Sequence, residues 1–143
     1  MIGFSTLRNK FSGNPVTISG ITVPPIPALD PAQIEVGKSA YAQNCASCHG
    51  ANLEGQPNWK QTGLDGKLPA PPQDSSGHSW HHADDVLLSI ISNGGDPSYS
   101  AMPAFREILT EAEIIGVLDY IKSSWGQDER EYQWWLSMRD QYQ

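Results

Sequence analysis

The sequence predicts an all-α fold of about three core helices, and three observations predict it. Two segments open with helix-capping patterns, Asp30-Pro31-Ala32-Gln33 and Thr110-Glu111-Ala112-Glu113, in which a short polar side chain accepts from the first free backbone N–H groups. A third segment, Ala83 to Asn93, places Val86, Leu87, Ile90 and Ile91 at helical spacing behind Asp84 and Asp85, whose charge suits a helix N-terminus. The 143 residues suffice for one small domain and not for two independent cores.

Residues 1–30 contain the β-branched run Val16-Thr17-Ile18-Ser19-Gly20-Ile21-Thr22-Val23 and then Pro24-Pro25-Ile26-Pro27, which favours extended chain. They are expected to form an extended N-terminal arm, which either docks on its own domain or a neighbouring copy, or serves as a tether. The first helix is expected from about Pro31 to Asn44, with Pro31 at the position where a missing N–H costs nothing. The middle helix ends at Gly94-Gly95. In the last core helix Ile114, Val117, Leu118 and Ile121 form the apolar face until Gly126 stops it. Residues 127–143 begin charged and continue through Tyr132, Trp134, Trp135, Leu136 and Met138, and are expected to add one more helix. Two adjacent tryptophans do not both fit one narrow buried face; packing on the chain's own domain is the favoured reading of Trp134-Trp135, and contact with a partner or a second copy is the alternative. The domain boundaries are thus 1–30, 31–126 and 127–143.

Both cysteines of the chain lie in Cys45-Ala46-Ser47-Cys48-His49. The C-x-x-C-H spacing is that of haem c attachment: on a helical turn Cys45 and Cys48 share a face, and His49 lies one turn beyond Cys45, so two thiols reach two vinyl groups while the imidazole reaches iron. A zinc site would need a second ligand pair and a thioredoxin-like site a βαβ context, and neither is legible. A hydrophobic content of 38% with three Phe is modest for a self-sufficient core and fits packing around a large apolar cofactor.

The second axial position of the iron separates a carrier from a ligand-binding haem. Met1 is terminal and Met138 falls in the C-terminal extension, whereas Met102 follows His49 by 53 residues in Tyr99-Ser100-Ala101-Met102-Pro103-Ala104-Phe105. Pro103 disfavours helix at the residue before it and presents Met102 from an extended loop. Its thioether, a soft neutral donor, favours ferrous iron and a higher potential. His78, His81, His82 and an open site are the alternatives.

With C-x-x-C-H near the front, a Met-Pro loop behind it and helices at both ends, residues 31–126 resemble a class I cytochrome c of the bacterial soluble, single-haem kind. The resemblance implies a cytochrome c fold wrapped around one covalently bound haem, in which a small residue on the first helix lets an aromatic on the last approach. Gly37 and Tyr41, set against Leu118, Tyr120 and Ile121, match that pattern. It also implies that a proline carbonyl accepts the N–H of the proximal imidazole. Pro69, Pro71 and Pro72 are the candidates; the sequence does not choose between them, and Pro71 is the working choice.

The stretch from Gly50 to Ser79 is rich in Gly, Pro and Asn without sustained periodicity, as suits a loop covering one haem face. It is longer than in short members of the family and carries Gly77-His78-Ser79-Trp80-His81-His82. Three histidines in five positions suggest copper or zinc, but no thiol or carboxylate completes such a site. The favoured reading gives these groups to helix capping and to the haem propionates, with Trp59 and Trp80 as indole donors.

A net charge of −7 argues against nucleic acid and anionic membrane surfaces as partners, which need clustered Lys and Arg. Residues 31–126 alone hold eleven Asp and Glu against five Lys and Arg, a net of −6, so the expected redox partners carry a basic docking patch. No run approaches the roughly 20 apolar residues of a membrane span. Haem attachment of this kind is normally completed outside the bacterial cytoplasm, and no secretory signal is legible in the first thirty residues. A mature or shortened chain on the periplasmic or extracellular side of a bacterial membrane is expected. The expected function is one-electron transfer rather than catalysis. The alternatives are a fixed haem subunit of a larger oxidoreductase complex or a self-assembled polymer joined through the arm or Trp134-Trp135, and a haem enzyme or sensor, which requires an open distal site.

Overall fold

A computed structural model describes residues 13–143; the part of the arm before Gly13, Met1 included, lies outside the described residues. The elements in chain order are β1 (Val16–Ile18), β2 (Ile21–Val23), α1 (Pro31–Asn44), α2 (Ala46–His49), α3 (Asp84–Asn93), α4 (Glu111–Ser123) and α5 (Gln127–Met138), with 3₁₀ turns at Ser79–His81 and Arg139–Gln141.

The helix starts follow from their caps. Asp30 Oδ1 accepts from the Ala32 N–H at 2.9 Å, with Pro31 opening α1. Thr110 Oγ1 accepts from the Glu113 N–H at 3.2 Å to open α4. Ala83 caps α3, which ends at Gly94 with φ of 86°; that left-handed angle carries little penalty without a Cβ. α4 ends at Ser123, short of Gly126, because the Ser124 hydroxyl and backbone N–H both turn back to the Ile121 carbonyl. Gly126 instead caps the start of α5.

α1 crosses α4 backbone to backbone. Gly37 is buried in α1, and a Cβ there would overlap the Gly116 carbonyl and come within 2.7 Å of the Val117 nitrogen. Sequence reading expected Gly37 to face the aromatic side of α4; the small residue that receives it is Gly116, and the aromatic contact falls one turn along. There Tyr41 and Tyr120 meet edge to face, ring centroids 5.3 Å apart, an arrangement favoured by the ring quadrupole. Around this crossing Tyr41, Leu53, Leu87, Ile91, Phe105, Leu109, Ile114, Val117, Leu118, Ile121 and Trp125 form the main core.

A second, smaller core lies outside the crossing. The arm is not one extended run. It turns back at Ser19-Gly20, both with positive φ (50° and 77°), a two-residue hairpin turn whose twist matches its strands. β1 and β2 pair antiparallel with Val16 opposite Val23, and these two valines enclose Trp135. The Trp135 indole donates to the Ile21 carbonyl at 3.1 Å and the Trp134 indole to the Pro24 carbonyl at 2.7 Å. Trp135 is buried and Trp134 half-buried. The tryptophan pair, for which packing on the chain's own domain is the favoured expectation and a joint to a partner or another copy the alternative, is covered by the chain's own arm.

α5 is also bonded to the start of α3. Gln133, 2% exposed, donates to the His82 carbonyl at 3.1 Å and to Asp84 Oδ1 at 2.7 Å. Lys122 of α4 reaches the same carboxylate oxygen at 2.6 Å. Trp135→Ala removes the centre of the second core and is expected to cost about 3–5 kcal/mol. Amide exchange at Val16 and Val23 should accelerate most, while Val117 and Leu118 of α4 keep their protection; equal loss in both places would contradict the separation of the two cores.

Candidate functional site

α1 is capped by Cys45, whose N–H bonds the Tyr41 carbonyl at 2.8 Å, and the chain turns at once into the single-turn α2 that carries Cys48 and His49. Gly50, at φ of 88°, breaks α2, and its carbonyl accepts the Tyr41 hydroxyl at 2.8 Å. α1 thus holds both ends of the attachment turn. Both thiols are free; Cys45 is half-buried against the main core and Cys48 is exposed. Burial, and then the neighbouring Cys48, push the Cys45 thiol up to about 11, so it is protonated at neutral pH. Tyr41 is likewise raised, mainly by burial.

His49 has a defined tautomer. Its Nδ1 lies 2.9 Å from the Pro71 carbonyl oxygen, which only accepts, so Nδ1 carries the proton and Nε2 keeps its lone pair. Burial lowers the imidazole's affinity for a second proton, outweighing the opposing bond to Pro71, and the neutral ring is the form that binds metal. Of the three prolines Pro69, Pro71 and Pro72, it is Pro71 whose carbonyl meets His49. Its place is fixed by pairings across the loop: the Gln73 N–H bonds the Leu53 carbonyl at 2.8 Å, and the Gln56 N–H bonds the Ala70 carbonyl at 2.8 Å.

Met102 is half-buried and packs on the same main core as Cys45. Its loop is tied to the end of α3: the Gly95 N–H bonds the Met102 carbonyl at 3.1 Å, the Met102 N–H bonds Ser100 Oγ at 3.1 Å, and the Phe105 N–H bonds the Ile91 carbonyl at 3.1 Å. A soft thioether on an anchored loop, a neutral imidazole with a free Nε2 and two free thiols on one turn make a donor set that fits haem c.

The indoles divide. The Trp80 N–H, expected to serve a propionate, is spent on the Ser75 and Gly77 carbonyls at 3.2 and 3.1 Å; the turn before Ser79–His81 needs those carbonyls satisfied. Trp59 stacks on His78, ring centroids 5.3 Å apart, with Lys60 Nζ 5.1 Å from its ring. Burial, His82, His81 and Lys60 together lower the His78 pKa. His78 and His82 stand edge to face at 5.9 Å, whereas His81 lies against Trp80 at 3.8 Å. His81 is thus turned from the other two toward Trp80, and among the described residues no group of three or more His, Cys, Asp or Glu is arranged to hold a metal ion. Sequence reasoning missed Gln73, which borders His49 with its Nε2 3.1 Å from Nδ1, and Trp125, whose indole donates to the Gln73 carbonyl at 2.9 Å.

The glycine-to-glycine crossing of α1 and α4, the C-x-x-C-H turn bonded beneath it and the anchored Met-Pro loop define a class I c-type cytochrome domain. More particularly, the chain belongs to the family described as cytochrome c oxidase, cbb3-type, subunit III, which it matches over residues 32–121. It is similar to the cbb3-type cytochrome c oxidase subunit CcoP of Azospirillum sp. (strain B510), 31% identical over 101 residues, covering 69% of this chain and 31% of that protein. It is also similar to the corresponding subunit FixP of Azorhizobium caulinodans, 35% identical over 88 residues, covering 61% of this chain and 28% of that one. The chain therefore spans less than a third of the length of these relatives. Cytochrome CL of the marine methylotroph Methylophaga aminisulfidivorans MPT shares the fold, with a TM-score of 0.55 at 21% identity over 72% of this chain and 61% of that one. The arm and α5 lie outside the matched family segment. The family makes this a haem c domain with an electron-transfer role.

Proposed function

We propose that the chain carries one haem bonded through Cys45 and Cys48, with His49 and Met102 as axial ligands, and passes single electrons between redox partners. Such a group supplies an iron that changes oxidation state by one without any bond in the protein breaking. The observation that carries the reading is the 2.9 Å bond from His49 Nδ1–H to the Pro71 carbonyl, which fixes the ring and leaves Nε2 as donor. The chain's residues do the remaining work. α1 and Gly50 hold the attachment turn, the main core excludes water from one side, and the Met102 loop closes the other. Trp59 is the remaining propionate donor candidate. The acidic surface steers partners with a basic patch, and the site belongs on the periplasmic or extracellular side of a bacterial membrane.

A second reading is favoured by the family itself: the same domain acting as a fixed haem subunit of a larger oxidase complex, with the chain corresponding to 31% of CcoP. Among the described residues no helix is long and apolar enough to cross a membrane.

The test is Met102→Ala. The oxidised wild type should show the weak red sulfur-to-iron band; the variant should lose it, drop in potential by on the order of 100 mV or more, and bind carbon monoxide when reduced. A variant whose spectrum and potential match the wild type would remove Met102 from the iron and bring the histidines or an open site forward.

A further inference from the structure

Three backbone and side-chain bonds place Gln73 beside the proximal histidine. Its N–H bonds the Leu53 carbonyl at 2.8 Å, its carbonyl accepts the Trp125 indole at 2.9 Å, and its side-chain oxygen accepts the Ser79 hydroxyl at 2.7 Å. Two residues on, Ser75 Oγ accepts the Gly126 N–H at 2.8 Å, so the segment is pinned to the junction of α4 and α5. The side-chain nitrogen then lies 3.1 Å from His49 Nδ1.

That arrangement sets two requirements against each other. The Pro71 carbonyl at 2.9 Å requires a proton on Nδ1, and iron on Nε2 requires the same tautomer. An amide N–H aimed at a protonated Nδ1 is a donor facing a donor. The Gln73 amide has two orientations related by a half-turn, with nearly identical shape. In the turned one, Oε1 faces Nδ1–H and Nε2 donates to Ser79 Oγ, whose lone pairs are free to accept. The two donors at Nδ1 then no longer face each other; the Ser79 hydroxyl, which gives its proton to Oε1 in the first orientation, rotates to release it, and no heavy atom outside the amide moves.

We infer that Gln73 is a positioning residue for the haem-bound protein: its Oε1 accepts from His49 Nδ1–H alongside the Pro71 carbonyl, with Ser79 and Trp125 holding it there. This rests on the haem ligation proposed above. A second acceptor on Nδ1–H makes the imidazole a stronger donor to iron and stabilises the ferric state. Gln73 therefore lowers the reduction potential, and the α4–α5 junction, through Trp125, sets how firmly it does so.

The experiment uses the full chain with haem attached and reads two quantities: the midpoint potential, and the proton resonance of His49 Nδ1–H in the reduced, diamagnetic state. Gln73→Leu should favour the ferrous form by about threefold to tenfold, tenfold being about 59 mV for one electron, and move the Nδ1–H resonance upfield as one acceptor is lost. Ser79→Ala should move both readouts the same way by less, and Gln73→Glu should move both the opposite way. If Gln73→Leu fails to hold haem, the other two variants carry the test. Unchanged Nδ1–H resonances, or a potential that falls in Gln73→Leu or Ser79→Ala, overturn the role of Gln73 while leaving the haem reading intact. A wild-type chain that keeps no haem after unfolding overturns both.

Discussion

A chain in which Cys45 and Cys48 are both replaced by alanine is expected to leave a cell competent for haem c attachment with no haem that survives unfolding, against about one per chain for the wild type. The two thiols are the chain's only cysteines, and both are free on the single turn α2 and its cap, so nothing else offers a thioether. The loss should extend beyond the cofactor. Cys45, Trp80, Leu88 and Met102 are only partly buried where they meet the main core, and apolar surface that a haem would cover contributes roughly 25 cal/mol for each Å² removed from water. The double variant is therefore expected to lose cooperative unfolding of α1 and α4 as well as colour. Either single variant keeps one thioether and should remain coloured with a lower melting temperature. Mass spectrometry of the unfolded chains decides it: haem mass retained by the double variant would place the attachment elsewhere.

Gly37→Val is expected to be the most damaging substitution away from the attachment turn. A side chain there has no free direction, because it would enter the Gly116 carbonyl and the Val117 nitrogen, and backbone cannot rotate aside as a side chain does. Overpacking a core ordinarily costs about 1–3 kcal/mol. Separating two helices whose contact anchors the main core should exceed that and consume a large share of the roughly 5–15 kcal/mol that a domain has in total. Gly116→Ala is the milder comparison, since its Cβ would meet the Gly37 nitrogen at 2.9 Å and the Gln33 carbonyl at 3.0 Å, contacts that a small helix shift relieves. Chemical denaturation should rank wild type, Gly116→Ala and Gly37→Val in that order; a Gly37→Val chain as stable as Gly116→Ala would mean that α1 and α4 are not in backbone contact.

The helices of the core were legible because their signals are local. Asp30-Pro31 and Thr110 with Glu113 announce α1 and α4, and the observed α1, Pro31–Asn44, matches the expected span. The end of α4 is less legible: Gly126 has the composition of a stop, yet Ser124 closes the helix before it and Gly126 begins the next. In the arm, the β-branched residues and prolines favour extended chain, while Ser19-Gly20 between two β-branched triplets is a hairpin signal in its own right. That the hairpin would close on Trp135 depends on pairing between opposite ends of the chain, which no local pattern encodes.

In the site, the residue types were legible and their partners were not. Cys45, Cys48 and His49 announce themselves by spacing, and Met102 by its proline neighbour. Which of three clustered prolines turns a carbonyl to His49 depends on loop pairings at Leu53–Gln73 and Gln56–Ala70, and those are long-range. Trp80 was assigned by chemistry alone, as an indole in need of an acceptor; the acceptors it finds, Ser75 and Gly77, are a few residues away. Gln73 carries no signal in a loop already rich in polar residues, and its importance arises only from standing 3.1 Å from Nδ1.

The measurement that bears most directly on the whole account is an optical redox titration of the purified 143-residue chain. The account requires one haem per chain, a single transition following a one-electron Nernst curve, and the sulfur-to-iron band in the oxidised form only. A chain without haem, a transition of more than one electron, or a reduced wild type that takes up carbon monoxide without ever showing the sulfur band would contradict it.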